Sequence, residues 1–213
     1  MAKRRKQVLP KAERPDQRLL LLDAAVSVIA KSGIEGASVR AIAAEASPTI
    51  TDAVIYRHFS GKDELLLQAF LRVDAMLYEQ IEKMCDVLWE KELPTENRLR
   101  FLWHSVWTWV TEHRTEVCFA VRYYYSASYD AHAEEENRKI WRTLAEKLKE
   151  LFPCVDADCL VGTAIEQTLT ALYPICSGRT PDSASFSEFA FRKVYGALKE
   201  LFPSAEGKGS GLR

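Results

Sequence analysis

Nowhere does the chain approach the roughly 18 consecutive apolar residues that a membrane-spanning helix needs, although 47% of its 213 residues are hydrophobic. With 28% charged residues, the composition is that of a soluble globular protein. The five cysteines, Cys85, Cys118, Cys154, Cys159 and Cys176, form an odd set without a Cys-x-x-Cys pair. That argues against a disulfide framework and a structural zinc site, and leaves buried free thiols. The four histidines, His58, His104, His113 and His132, include no H-E-x-x-H spacing. His132 with Glu135 and Glu136 reads as a solvated helix start. A glycine-rich phosphate loop, a G-x-S-x-G elbow and a defensible Cys-His arrangement are also missing. No catalytic residue, metal or cofactor is therefore assigned, and the chain is not expected to be an enzyme. The basic N-terminus is followed by no short apolar core with a cleavage site, so the expected location is the cytoplasm.

What the sequence does contain is a division of charge. Residues 1–62 carry eleven Lys/Arg against six Asp/Glu, or +5; residues 63–213 carry eighteen against twenty-four, or -6; the sum is the net -1. A basic third on an acidic body suggests a polyanion at one end.

Apolar residues recur three and four apart almost throughout, with no alternating β-branched runs, which predicts an all-α fold of about nine helices. Helix one is predicted from an Asp16 cap to Gly33, with Leu22, Ala25, Val26 and Ile29 on one face. Helix two follows a Ser38 cap and stops before Pro48. Helix three runs from a Thr51 cap to about Phe59, burying Ile55 and Phe59. Ser60 with Asp63 has capping-box spacing for a long helix over about 62–92. Further helices are predicted over about 94–113, 115–128, 132–151, 156–176 and 185–202. The segments 1–15 and 203–213 read as a basic flexible arm and a disordered tail.

The stretch "TITDAVIYRHFSGKDELL" shows what the basic end is for. Two short helices joined by a tight turn, buttressed by a third and followed by a long one, form the arrangement of a helix-turn-helix reader. Ile55 and Phe59 face inward. Tyr56 and His58 can donate to phosphate oxygens, Arg57 can reach phosphate or guanine, and Lys62 stands at a helix N-terminus that attracts anions. The plain alternative is a helical hairpin whose surface happens to carry Tyr, Arg and His. If the arm "AKRRKQ", with Lys11, Arg14 and Arg18, lies along DNA, deleting residues 1–14 lowers affinity and flattens its salt dependence.

Residues 18–70, and above all "LLDAAVSVIAKSGIEGASVRAIA" and "VIYRHFSGKDELL", resemble the DNA-binding domain of the tetracycline-repressor (TetR) family of transcriptional regulators. The resemblance implies a three-helix DNA-binding domain over 16–62 and a larger helical ligand-binding and dimerisation domain over 63–202. It also implies a double-stranded DNA operator, a small-molecule inducer and a homodimer formed through the last two helices. Ser38 and Arg40 match positions that touch phosphate or, for the arginine, a base. Thr51, Asp52, Ala53 and Val54 match the turn and first residues of the recognition helix; Tyr56, His58 and Lys62 match backbone contacts. The chain departs from the pattern in having nine residues between Ala46 and Tyr56 where seven are usual. The expansion at "SPTI" adds Thr49 as a possible contact, and Asp52 either accepts from a cytosine amino group or favours the helix N-terminus.

In the body, Val161, Ile165, Leu169 and Leu172 form one stripe, and Ala190, Val194, Ala197, Leu198 and Leu201 another, as a helical interface would require. Candidate pocket residues are Trp103 and Trp107, then Phe119, Arg122 and Tyr123 at helical spacing, and Trp141, Glu166 and Tyr173. An aromatic stripe is as readily core as binding site. Arg122 would favour an acidic ligand and Glu166 a cation. The competing class is a helical small-molecule-binding protein or enzyme that has lost DNA reading.

Overall fold

The computed structural model describes residues 16–89, 93–151 and 155–201. The basic arm, the C-terminal tail and the predicted end of the fourth helix lie outside them. The described residues form nine helices and no strand: α1 (Gln17–Ser32), α2 (Val39–Ala46), α3 (Asp52–His58), α4 (Lys62–Trp89), α5 (Thr95–Glu112), α6 (Arg114–Tyr124), α7 (Ala131–Leu151), α8 (Ala157–Cys176) and α9 (Ala184–Lys199).

Local chemistry sets most of these boundaries. Asp16 accepts from the Arg18 amide at the start of α1, and Gly33 ends that helix at φ 76°, a left-handed conformation that favours glycine. Ser38, Asp156 and Ser183 cap α2, α8 and α9 by accepting from Ala41, Cys159 and Phe186. Two expected caps differ. Thr51 is extended at the N-cap of α3, but its side chain makes no capping bond. At α4 it is Glu64, one residue beyond the expected Asp63, that accepts from the Ser60 amide; those bonds to Ser60 hold its carboxyl below the ordinary range. Asp63 accepts from the Ser128 hydroxyl instead. The sixth helix ends at Tyr124, short of the expected 128, where Ser126 closes a turn on the Tyr123 carbonyl.

Helix α1 packs on α2, α4 and α6, while α4 also packs on α5, α6 and α7, and α8 packs on α6, α7 and α9. One apolar cluster runs unbroken from Leu21, Ile42 and Ile55 in the head through Leu65 and Phe70 of α4 to Phe119, Tyr123 and Leu172. Two smaller clusters fill the space between α5, α8 and α9 and between α4, α7 and α8. The stripes expected on α8 and α9 face these interiors: Val161, Leu172, Ala190, Val194 and Leu198 are all buried within the single chain. The outward faces carry Gly162, Glu166 and Tyr173 on α8 and Phe189, Arg192 and Gly196 on α9. Both glycines have open space where a Cβ would stand.

Candidate nucleic-acid interface and effector cavity

Helix α3 is seven residues long, too short to hold itself by backbone bonds. Its hold on the head comes from Ile55 and Phe59, both buried, and from the turn that precedes it. In that turn the Ile50 amide donates to the Ser47 carbonyl, Thr49 and Ser47 join hydroxyls at 3.0 Å, and the Ile50 side chain is only 7% exposed. Residues 47–50 thus form a closed turn with an apolar plug. Thr49 itself remains exposed.

The other sequence-predicted contacts divide by accessibility. Ser38, Arg40, Thr51, Asp52, Ala53, Tyr56 and Arg57 are exposed, whereas Val54, His58 and Lys62 are half-buried. Ser38 uses its hydroxyl as a cap, and the uncommitted hydroxyl of Thr51 projects at the start of α3. Tyr56 is 59% exposed, unusual for so large a ring. Arg57 donates to the Gln17 carboxamide, a neutral partner that a phosphate would outcompete. His58 points its Nε2 into the protein, where that atom is buried without a hydrogen-bond partner. Lys62 donates from Nζ to the Ile34 carbonyl at 3.0 Å, bracing the loop between α1 and α2. Arg18, expected in the flexible arm, belongs to α1: its guanidinium lies 5.3 Å above the Phe59 ring and donates to Gln68.

The body encloses a cavity of about 180 Å³ between α4, α5, α6, α7, α8 and α9. Its walls are mostly apolar, including Leu77, Trp109, Leu160 and Phe191. Trp103 and Trp141, two of the expected pocket residues, stand on the wall. The remaining expected pocket residues lie off it. Trp107 stacks against Trp103 at 6.1 Å and meets Phe186. Phe119 and Tyr123 are fully buried core, with Tyr123 4.9 Å from the Phe70 ring and its hydroxyl donating to the Ser128 carbonyl. Arg122 donates to the Ile29 carbonyl of α1 at 2.9 Å. Glu166 and Tyr173 are exposed.

Sequence reasoning passed over Asp74. It lines the cavity yet is only 8% exposed. The Asn137 carboxamide donates to its Oδ2 at 2.6 Å, and the Trp141 indole donates to the same oxygen. Burial pushes its carboxyl up to about 7, against the opposing pull of those two bonds. The available signal was its position: an acid within the apolar spacing of Phe70, Val73, Leu77 and Ile81 on α4. Among the described residues, no group of three or more His, Cys, Asp or Glu stands together as a metal site. Nor is any described helix long and apolar enough to cross a membrane.

Residues 21–69 match the family model of bacterial regulatory proteins of the tetR family. By this head, the chain is similar to the TetR family. The nicotine-responsive transcriptional repressor HdnoR of Paenarthrobacter nicotinovorans is 38% identical over 71 residues, 33% of this chain and 36% of that repressor. The chain thus matches about a third of its curated relative's length. Likeness of fold extends much further. A TetR family transcription regulator from Marinobacter aquaeolei superposes with a TM-score of 0.61 at 20% identity, covering 85% of this chain and 94% of its own. The fatty acid degradation regulator FadR from Bacillus halodurans superposes at 0.62 with 17% identity, covering 89% and 99%. The TetR match contains every predicted DNA contact from Ser38 to Lys62 and ends at Ala69. The cavity wall begins at Phe70, so nothing in the TetR match bears on what the cavity holds.

Proposed function

We propose that the chain is a dimeric repressor that reads a palindromic operator through α3 and releases it when a small apolar molecule enters the cavity. The observation that carries this reading is the position of the cavity on the two helices that grip the head. Helix α4 supplies Asp74 and Leu77 to the wall and braces the Ile34 carbonyl through Lys62. Helix α6 supplies Val117 and Ala120 to the wall and grips the Ile29 carbonyl through Arg122. A ligand that fits one arrangement of α4 and α6 better than another shifts the spacing of two recognition helices, and only such differential binding moves the equilibrium. Two heads related by a two-fold axis read half-sites one or more turns of DNA apart, each turn being about 34–36 Å. The outward faces of α8 and α9, with their two glycines and exposed Phe189, are suited to close helix approach across that axis.

The direct test is selection of genomic DNA fragments by the purified protein, followed by titration of the recovered operator. Arg57→Ala should weaken operator binding by about ten-fold, more at low salt than at high, and Tyr56→Phe should weaken it without changing the salt dependence, each with the thermal melt unchanged. A chain that retains no fragment while turning over a small molecule would be the binding protein or enzyme of the competing class.

A further inference from the structure

The cavity wall carries one buried carboxylate. Among its described lining residues Asp74 is the only carboxylate. Its two hydrogen bonds, from Asn137 and Trp141 of α7, converge on Oδ2, and Oδ1 accepts none among the described residues. The other charged residue on the wall, Arg98 of α5, is not among the groups that set the Asp74 carboxyl, which are burial, Trp141 and Asn137. An oxygen so placed is costly to ionise alone and gains most from a cation brought to it in a dry site. The surrounding rings favour the same charge. Trp103, Trp109 and Trp141 line the space, and an indole face attracts an ammonium group. A carboxylate ligand would meet repulsion at Asp74, and a neutral hydrophobe would leave Oδ1 unmatched. Size narrows the choice further. A cavity of about 150 Å³ admits benzene, so one of about 180 Å³ suits a single aromatic ring with a short chain.

We propose that the cavity takes a protonated amine carried on one aromatic ring or an apolar body of similar size, with Asp74 Oδ1 as its counter-ion. The proposal rests on reading the cavity as the effector site, and names the chemistry that site selects.

Three probes of nearly equal shape separate the possibilities: phenethylamine, phenethyl alcohol and hydrocinnamate, titrated calorimetrically into the full chain at about pH 7.5, where the amine is charged. The amine should bind about ten-fold or more tighter than the alcohol, and hydrocinnamate more weakly than the alcohol. In Asp74→Asn the amine should fall to within about three-fold of the alcohol, whose own affinity should hold. Equal binding of amine and alcohol to the wild-type chain overturns the proposal and leaves the cavity reading standing. A preference for the amine that survives Asp74→Asn also overturns it. Binding of none of the three overturns both. The ranking in the wild-type chain decides the matter even if the variant fails to fold.

Discussion

Asp74 sets two demands against each other on a single side chain. Its position on the apolar face of α4 removes it from water, while Asn137 and Trp141 supply the bonds that make a carboxylate tolerable there. Burial wins, lifting the carboxyl from 3.8 to about 7. A raised carboxyl binds its proton more tightly in the folded chain, so stability is greatest below the unfolded value and falls as pH rises through that window. Asp74→Asn removes the slope. Thermal melts at about pH 5 and pH 8 should show the variant gaining on the wild type as pH rises, by more than about 1 kcal/mol at the upper end. The residue was hidden in the sequence because its partners lie 63 and 67 positions away on α7. Spacing along one helix says which face a residue takes, but not which distant side chain meets it. Trp103 and Trp107 make the same point, since one helical stripe placed both and only packing put Trp103 on the cavity.

Among the elements, the turn between α2 and α3 has a clear structural role. The turn closes on Ser47 and buries Ile50. Ile50→Ala should therefore cost about 2–5 kcal/mol in chemical denaturation, and should loosen α3, whose own bonds are few. Thr49→Ala touches only the exposed side of the same turn and should leave stability nearly unchanged. Gly33 gives a second test: at φ 76°, Gly33→Ala should lose about 1–2 kcal/mol, since a Cβ there is strained whatever the surrounding space. These elements were the most legible part of the chain, because Asp16, Ser38 and Gly33 act through neighbours within a turn. Where an acid one place along reached back instead, at Glu64, the capping-box spacing had pointed to Asp63.

At the scale of the whole molecule, charge marks a division at residue 62 while the apolar core crosses it from Ile55 through Leu65 to Phe119. The sequence could show the first, since charge is counted residue by residue, but not the second, which needs α1 and α6 side by side. Arg122 is the clearest case: placed by its neighbours in a pocket stripe, it instead spans the division to the Ile29 carbonyl. That carbonyl also accepts from the Gly33 amide, so Arg122→Met should cost stability only about 1 kcal/mol. If α6 carries the effector signal, operator affinity without ligand should be retained and the response to phenethylamine reduced. Assembly offers a further measurement. Gly196→Trp on the outward face of α9 should give a monomer in sedimentation and weaken operator binding steeply, because the second half-site is then no longer tethered.

The two cationic grips on Ile29 and Ile34 have a practical consequence for anyone building hybrid regulators. A reading module cut after His58 and spliced onto a different sensor would leave behind Arg122 and Lys62, and with them both attachments at the end of α1. Such a chimera would also lose Phe59 and Leu65 from the core of the head, and would hold α3 and answer its new stimulus poorly until an equivalent apolar face and equivalent donors were built into the recipient.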